Sequence, residues 1–293
     1  MGWFENGAHR ASNLYTGARA LILAGLLVGA SSVVAGPVAA TSARADLKPS
    51  VGAEATPAAA APVKVVIIVG PTGSGTAGNI ANARKLAAQA RGYGATVTEI
   101  YSPNATWARV DAAAQGANIL IDMGHGNGWP SPYKPYQENT KDGFGLNAKL
   151  NGGNLDLKYY GANYIRKYIH LAPNSVVILH GMCYTAGNSE PGNPVPTVEG
   201  GRERIENFAA GFLTVGAKVV FAEPGGDVGY ILAALFAGKT TARTIFMSES
   251  VTSTPLIAYP SHRTVGAHLI AQRDPTGHFR RSVAGNLDAT ITK

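Results

Sequence analysis

The chain contains a single cysteine, Cys183, among 293 residues. One thiol excludes an internal disulfide framework. It leaves an inert buried thiol, an intermolecular bridge or a reactive nucleophile. Charged residues are scarce at 15%, and the net charge of +7 contains no dense Lys/Arg block. That pattern gives no electrostatic footprint for nucleic acid. His262, His268 and His278 lack a tight ligand spacing, so no zinc site is expected from them. What is plentiful is glycine, 36 residues, and apolar side chains, 45% of the chain. This length and composition suit one large core, or one domain with tails, joined by tight loops.

The first 45 residues stand apart. Arg10 and Arg19 precede the apolar run "ALILAGLLVGASSVVAG", and Ala43-Arg44-Ala45 offers a small-x-small cleavage site. This is the pattern of a secretory signal peptide over 1–45, with a retained membrane anchor as the alternative. Residues 46–62, "DLKPSVGAEATPAAAAP", are Ala/Pro-rich without strand or helix periodicity and read as a linker. The folded domain is expected over 63–293, secreted or at the cell surface. Loss of the leader, with three Arg and one Glu, takes the charge from +7 to +5.

From Val63 onward strand-like and helix-like segments alternate. Strands are expected at 63–69, 95–101, 118–124, 175–181 and 217–223. Helices are expected at 77–94, 104–117 (from an Asn104 cap), 157–172, 201–216 and 227–238. Such alternation predicts an α/β fold, a three-layer sandwich around a mostly parallel sheet. Residues 125–156 read as one long functional loop, and 259–291 as a C-terminal extension wrapped around the domain. In such folds chemistry gathers just beyond the C-terminal ends of the strands.

Three strand ends compete for attention. The first is followed by Gly70 and Gly75 at P-loop separation, but Thr76 stands where a P-loop needs Lys and alanine follows it. A tight strand-to-helix turn accounts for these glycines. The third strand ends in "DMGHGNGW" and the fourth in "LHGMCYTAG". Parallel pairing of these two strands would bring His125 and Cys183 to one rim. A histidine beside a thiol can take its proton, and the N–H groups of Gly126 and Cys183 would form an oxyanion hole. His180, three residues before Cys183, is expected on the opposite face of its strand, with an alternative role as the base.

A strand ending in His-Gly followed by one ending in Cys resembles the caspase-like cysteine peptidases, which include caspases, metacaspases, gingipains and CHAT domains. The His125–Cys183 spacing of 58 residues is near the roughly 50 of caspases. "MCYTAG" (182–187) and the run 208–246 are similar to CHAT segments, so the resemblance covers about 63–246. It implies a caspase-like sandwich, Cys183 as nucleophile and His125 as base, acting on a peptide or protein substrate. Caspases carry Gln-Ala before the nucleophile where this chain has Gly181 and Met182, so aspartate specificity is not implied. Relatives often hold basic substrate residues with a carboxylate, for which Asp122, Glu223 and Asp227 are the candidates. Some relatives use calcium. Asp142 and Glu138 do not match an EF-hand, so no metal or other cofactor is assigned.

Two functions therefore stand side by side. One is an exported cysteine hydrolase, an endopeptidase with a Cys–His dyad. The other is a non-catalytic surface module on the same scaffold, associating with cell wall or protein through aromatics such as Trp129. Oligomeric state is not legible.

Overall fold

The strand β1 (Lys64–Val69) is buried at each of the five apolar residues after Lys64. A strand apolar on both faces has to be covered on both, and this sets the layering. The computed structural model describes residues 61–238, 240–249 and 254–291. The leader and nearly all of the linker lie outside the described residues. After β1 come α1 (Thr76–Gly92), β2 (Thr96–Tyr101), α2 (Trp107–Ala114), β3 (Ile119–Met123), β4 (Phe144–Asn147), β5 (Leu157–Tyr160), α3 (Ala162–Tyr168) and β6 (Ser175–His180). The second half contains α4 (Val198–Thr214), β7 (Ala217–Glu223), α5 (Gly229–Ala237), β8 (Thr240–Thr241), α6 (Ala242–Ser248), β9 (Leu256–Pro260), β10 (His268–Arg273), β11 (Phe279–Gly285) and β12 (Thr290–Ile291).

The main sheet runs β2-β1-β3-β6-β7-β11-β10-β9. Its first five strands are parallel, and β11, β10 and β9 continue it antiparallel. Helices α2, α3 and α4 bury their apolar residues on one face, and α1, α5 and α6 on the other. The protein is a three-layer α/β sandwich with a mostly parallel sheet. Helix α4 shows how the sequence dictates this. The Thr197 side chain accepts the Gly200 N–H at 3.0 Å and caps the first turn. Ile205, Phe208, Ala209 and Phe212 then recur at helical spacing and pack on the sheet.

The structure corrects several expectations. Residues 157–160 form β5 rather than the start of a helix, pairing antiparallel with β4. Gly161 then separates this hairpin from the short α3. The 125–156 segment is not a single loop, because β4 lies inside it. The C-terminal segment supplies β9 to β11 of the main sheet instead of wrapping the domain. The second helix starts after Thr106, not at Asn104, and α6 adds a helix beyond 227–238.

Register brings the parallel strand ends to one level: Val69 pairs with Met123, Met123 with His180, and His180 with Glu223. Beyond this line the chain continues as Gly70, Gly124–His125, Gly181–Cys183 and Pro224–Asp227. Strand β4 crosses the end of β1. A Cβ on Gly70 would overlap the Gly145 carbonyl oxygen and lie 3.2 Å from its carbon. Gly70 thus serves the close approach of a second backbone. The turn beyond it closes on itself, with Thr76 Oγ1 donating to the Gly73 carbonyl at 2.9 Å and accepting the Thr72 N–H at 2.8 Å. Gly70→Ala is expected to destabilise the domain by about 1–3 kcal/mol through overpacking. Urea denaturation measures this, and an unchanged midpoint would show that the β4 contact gives way freely.

Candidate active site

Two loops meet above the β3–β6 pair, and glycines set the distance between them. A Cβ on Gly126 would stand 2.8 Å from the Cys183 carbonyl carbon and 3.0 Å from its nitrogen, overlapping the oxygen. A Cβ on Gly128 would stand 2.6 Å from Tyr184 Cγ and 2.8 Å from Phe208 Cε2. Alternate residues of "HGNG" therefore present bare backbone to Cys183 and Tyr184, which leaves His125 and Asn127 as the side chains of that turn. His125 is exposed and Cys183 is half-buried against the core. Among the described residues the Gly126 N–H donates to no protein acceptor, and the Cys183 N–H bonds only its own sulfur. Among the described residues, the imidazole of His125 bonds neither Cys183 nor a third side chain.

The Cys183 loop is internally braced. Thr185 Oγ1 donates to the Met182 carbonyl at 2.9 Å, and the Tyr184 and Asn188 backbones close a turn at 2.6 Å. Tyr184 takes a left-handed φ of 68°, uncommon for an aromatic residue, with its ring fully buried and its hydroxyl donating to Glu190. Helix α4 joins this loop to the histidine loop. Arg204 donates to the Pro130 carbonyl at 2.8 Å and the Gly187 carbonyl at 3.0 Å, and Asn207 donates to the Trp129 carbonyl at 2.8 Å.

The rest of the histidine loop folds back on its own start. The Asp142 N–H donates to the Asn127 carbonyl at 2.8 Å, and Asp142 Oδ1 accepts the Trp129 N–H at 3.0 Å. Lys141 Nζ donates to Asn127 Oδ1 at 2.7 Å and to Ser131 Oγ at 3.1 Å. Trp129 packs against Tyr136 with ring centroids 5.7 Å apart.

Burial dominates the electrostatics. It pushes the Cys183 thiol above its ordinary pKa, and the negative charge of Glu190 pushes the same way. The resting sulfur is therefore a protonated thiol. Burial lowers the pKa of His180, which lies on the other face of β6 from Cys183 with Nδ1 2.9 Å from the Glu223 carbonyl. Burial raises Asp142 to about 7 and Asp122 to about 8.

Of the carboxylates proposed for a substrate pocket, Glu223 and Asp227 share one cleft and Asp122 stands apart from it. Asp122 is 1% exposed, pairs in register with Ile68 and Leu179, and among the described residues its oxygens have no well-formed hydrogen bond, with the Met123 backbone as a weak contact. It lies beneath the rim as a neutral acid. Glu223 is engaged by the Tyr230 hydroxyl at 2.6 Å and by Arg281 Nε at 3.5 Å. Asp227 is exposed and accepts the Gly229 N–H at 2.8 Å. Glu223 and Asp227 line a cleft of about 790 Å³ with Glu249, His278, Arg280 and Arg281. Of the calcium candidates, Asp142 holds Trp129 and Glu138 pairs with Arg166 at 2.7 Å. No group of three or more His, Cys, Asp or Glu converges as a metal site among the described residues. Tyr184, Glu190, Lys141 and Arg204 escaped the sequence reading. Their one signal was the alternation of glycines at 126 and 128, which marks a backbone approached closely on one side.

Asp122 carries a test. Its folded pKa lies above the ordinary 3.8, so the folded state holds the proton more tightly. Stability is then lost as pH rises from about 4 to about 8. Asp122→Asn should leave stability near pH 4 almost unchanged and raise it at pH 8, as read by urea denaturation across pH. Equal pH slopes for both proteins would show that the carboxyl is not buried alone. In comparisons with known proteins, no family model matches the chain and no curated protein matches it in sequence.

Proposed function

We propose that this protein is an exported cysteine hydrolase, an endopeptidase of caspase-like type working through Cys183 and His125. The observation that carries this reading is the close approach of Gly126 to the Cys183 backbone, which holds the histidine turn against the only thiol of the chain. The Gly126 N–H, which has no protein acceptor among the described residues, supports it as a donor available to an oxyanion.

The raised thiol pKa defines the chemistry. Sγ attacks the substrate carbonyl carbon while His125 takes the thiol proton, so proton transfer accompanies attack instead of preceding it. The carbonyl oxygen becomes an oxyanion facing the Gly126 and Cys183 N–H groups. Collapse expels the amine, which leaves with the proton from His125, and a thioester remains. Water activated by the same imidazole then hydrolyses it and restores the thiol. His125 needs no resting bond to Cys183 for this, since such contacts tighten when substrate arrives.

A second reading, a binding module on the same scaffold, is favoured by the un-ionised thiol. Peptide hydrolysis and labelling by a peptidyl chloromethyl ketone decide between them. Cys183→Ala is expected to abolish both, and His125→Ala to slow hydrolysis about 10²–10⁴-fold. Hydrolysis that survives Cys183→Ala would sink the hydrolase. Cell-wall binding lost in Trp129→Ala and kept in Cys183→Ala would establish the module.

A further inference from the structure

Beside the two loops lies a cleft of about 420 Å³, lined by Asn127, Tyr133, Lys134, Lys141, Tyr159 and Glu190 among others. Its connection to the candidate dyad is structural. Asn127 follows Gly126 directly. Tyr159 Cε1 and the His125 carbonyl both crowd the bare Cα of Gly145, lying 3.3 and 2.8 Å from where a Cβ would stand. Glu190 holds the hydroxyl of Tyr184, the residue after Cys183.

Lys141 is the unusual member. It is 4% exposed, yet among the described residues it forms no ion pair. Its ammonium donates to two neutral oxygens, Asn127 Oδ1 and Ser131 Oγ, and lies 5.7 Å from the Tyr133 ring centroid. An ammonium has three donors, and burial makes its charge costly, an effect that the charges of Asp142 and Glu190 counter from beyond ion-pair distance. Lys134 adds a second positive charge to the same cleft. The opposing carboxylate, Glu190, is itself engaged, with Oε2 accepting from the Tyr184 hydroxyl and from Asn193 at 2.9 Å. A structural lysine pinning Asn127 and Ser131 would need neither the cleft above it nor the neighbouring lysine.

We infer that this cleft is a carboxylate-binding subsite in which Lys141 receives an acidic group of the ligand, and that it selects substrates carrying such a group near the scissile bond. The second half of this statement rests on the hydrolase reading, and the first does not. The inference reverses the preference for basic substrates expected from Asp122, Glu223 and Asp227. Those carboxyls are buried and neutral, already engaged, or outside this cleft.

The probe is glutarate, with neutral glutaramide as its isostere, titrated calorimetrically into the full chain. Glutarate is expected to bind at least tenfold tighter than glutaramide. Lys141→Met should remove that difference, and Glu190→Gln, which deletes the opposing charge, should tighten glutarate several-fold. Equal affinity for the two probes in the wild type overturns the proposal even if Lys141→Met fails to fold. Undiminished glutarate binding in a folded Lys141→Met overturns it as well. Binding is also measured in Cys183→Ala, where it should persist, so loss of hydrolysis bears on the dyad alone. If peptides are cleaved, those with Glu beside the scissile bond should react at least tenfold faster than those with Gln. Equal rates would remove the role in selection.

Discussion

The backbone of Gly126 lies against the peptide of Cys183 with no room for even one carbon between them. Parallel pairing of β3 and β6 brings two chain ends within about 5 Å, but it does not say where the side chains beyond those ends will stand. That is settled by the loops. Because Gly126 and Gly128 both surrender their side-chain space, the histidine turn seats on Cys183 and on the Tyr184 ring. The α4 side chains Arg204 and Asn207 then tie both loops to one rigid helix. Strain at Tyr184 is part of the same arrangement. A left-handed backbone after Cys183 turns the chain sharply and sends the aromatic ring down into the core while Cys183 stays half-buried.

Packing this close removes water, and its electrostatic consequence differs from group to group. Glu223 is buried, and burial raises its pKa even though Arg281 and Tyr230 offset part of its loss of solvent; Arg281 in turn donates to the Glu249 carbonyl at 2.8 Å. Asp122 has no such partners, so it holds a proton. Cys183 faces burial and the charge of Glu190 together, and both keep it a thiol. Burial lowers the Lys141 pKa, the charges of Asp142 and Glu190 act against that, and its direct hydrogen bonds go to neutral oxygens, an arrangement that a ligand carboxylate would complete.

Legibility followed the length and burial of each element. The parallel strands were readable because β1, β3, β6 and β7 are mostly apolar runs ended by glycine or a polar turn, and β2 alternates with a period of two. So were α1 and α4, whose buried residues recur at helical spacing. Strand β4 was hidden because four residues, "FGLN", show no periodicity, and its crossing over β1 is recorded only as glycine at 70 and 145. Strand β5 shares its tyrosines with the helix-like stretch that follows, and only pairing with β4 decides its state. The antiparallel strands β9 to β11 carry Arg, His and Gln among their apolar residues, so the pattern looked irregular. Arg281, the least expected core residue, is buried because its guanidinium lies 4.1 Å from the Phe246 ring centroid and beside Glu223.

Those antiparallel strands also explain why the rim divides in two. With β11 beside β7, the loop after β7 opens onto Arg280, Arg281 and His278 instead of onto the thiol. The charged cleft of about 790 Å³ thus collects Glu223 and Asp227 together with cations that oppose them. In a separate cleft, the returning histidine loop brings Lys134 and Lys141 beside a carboxylate that is already bonded. Carboxylates placed after strands were the natural candidates for gripping a basic substrate. The fold spends one on arginine, buries another as a neutral acid and leaves the third in a cleft of mixed charge. Lys141, which no strand end announced, is the lysine of the other cleft whose ammonium keeps a hydrogen-bond donor to spare.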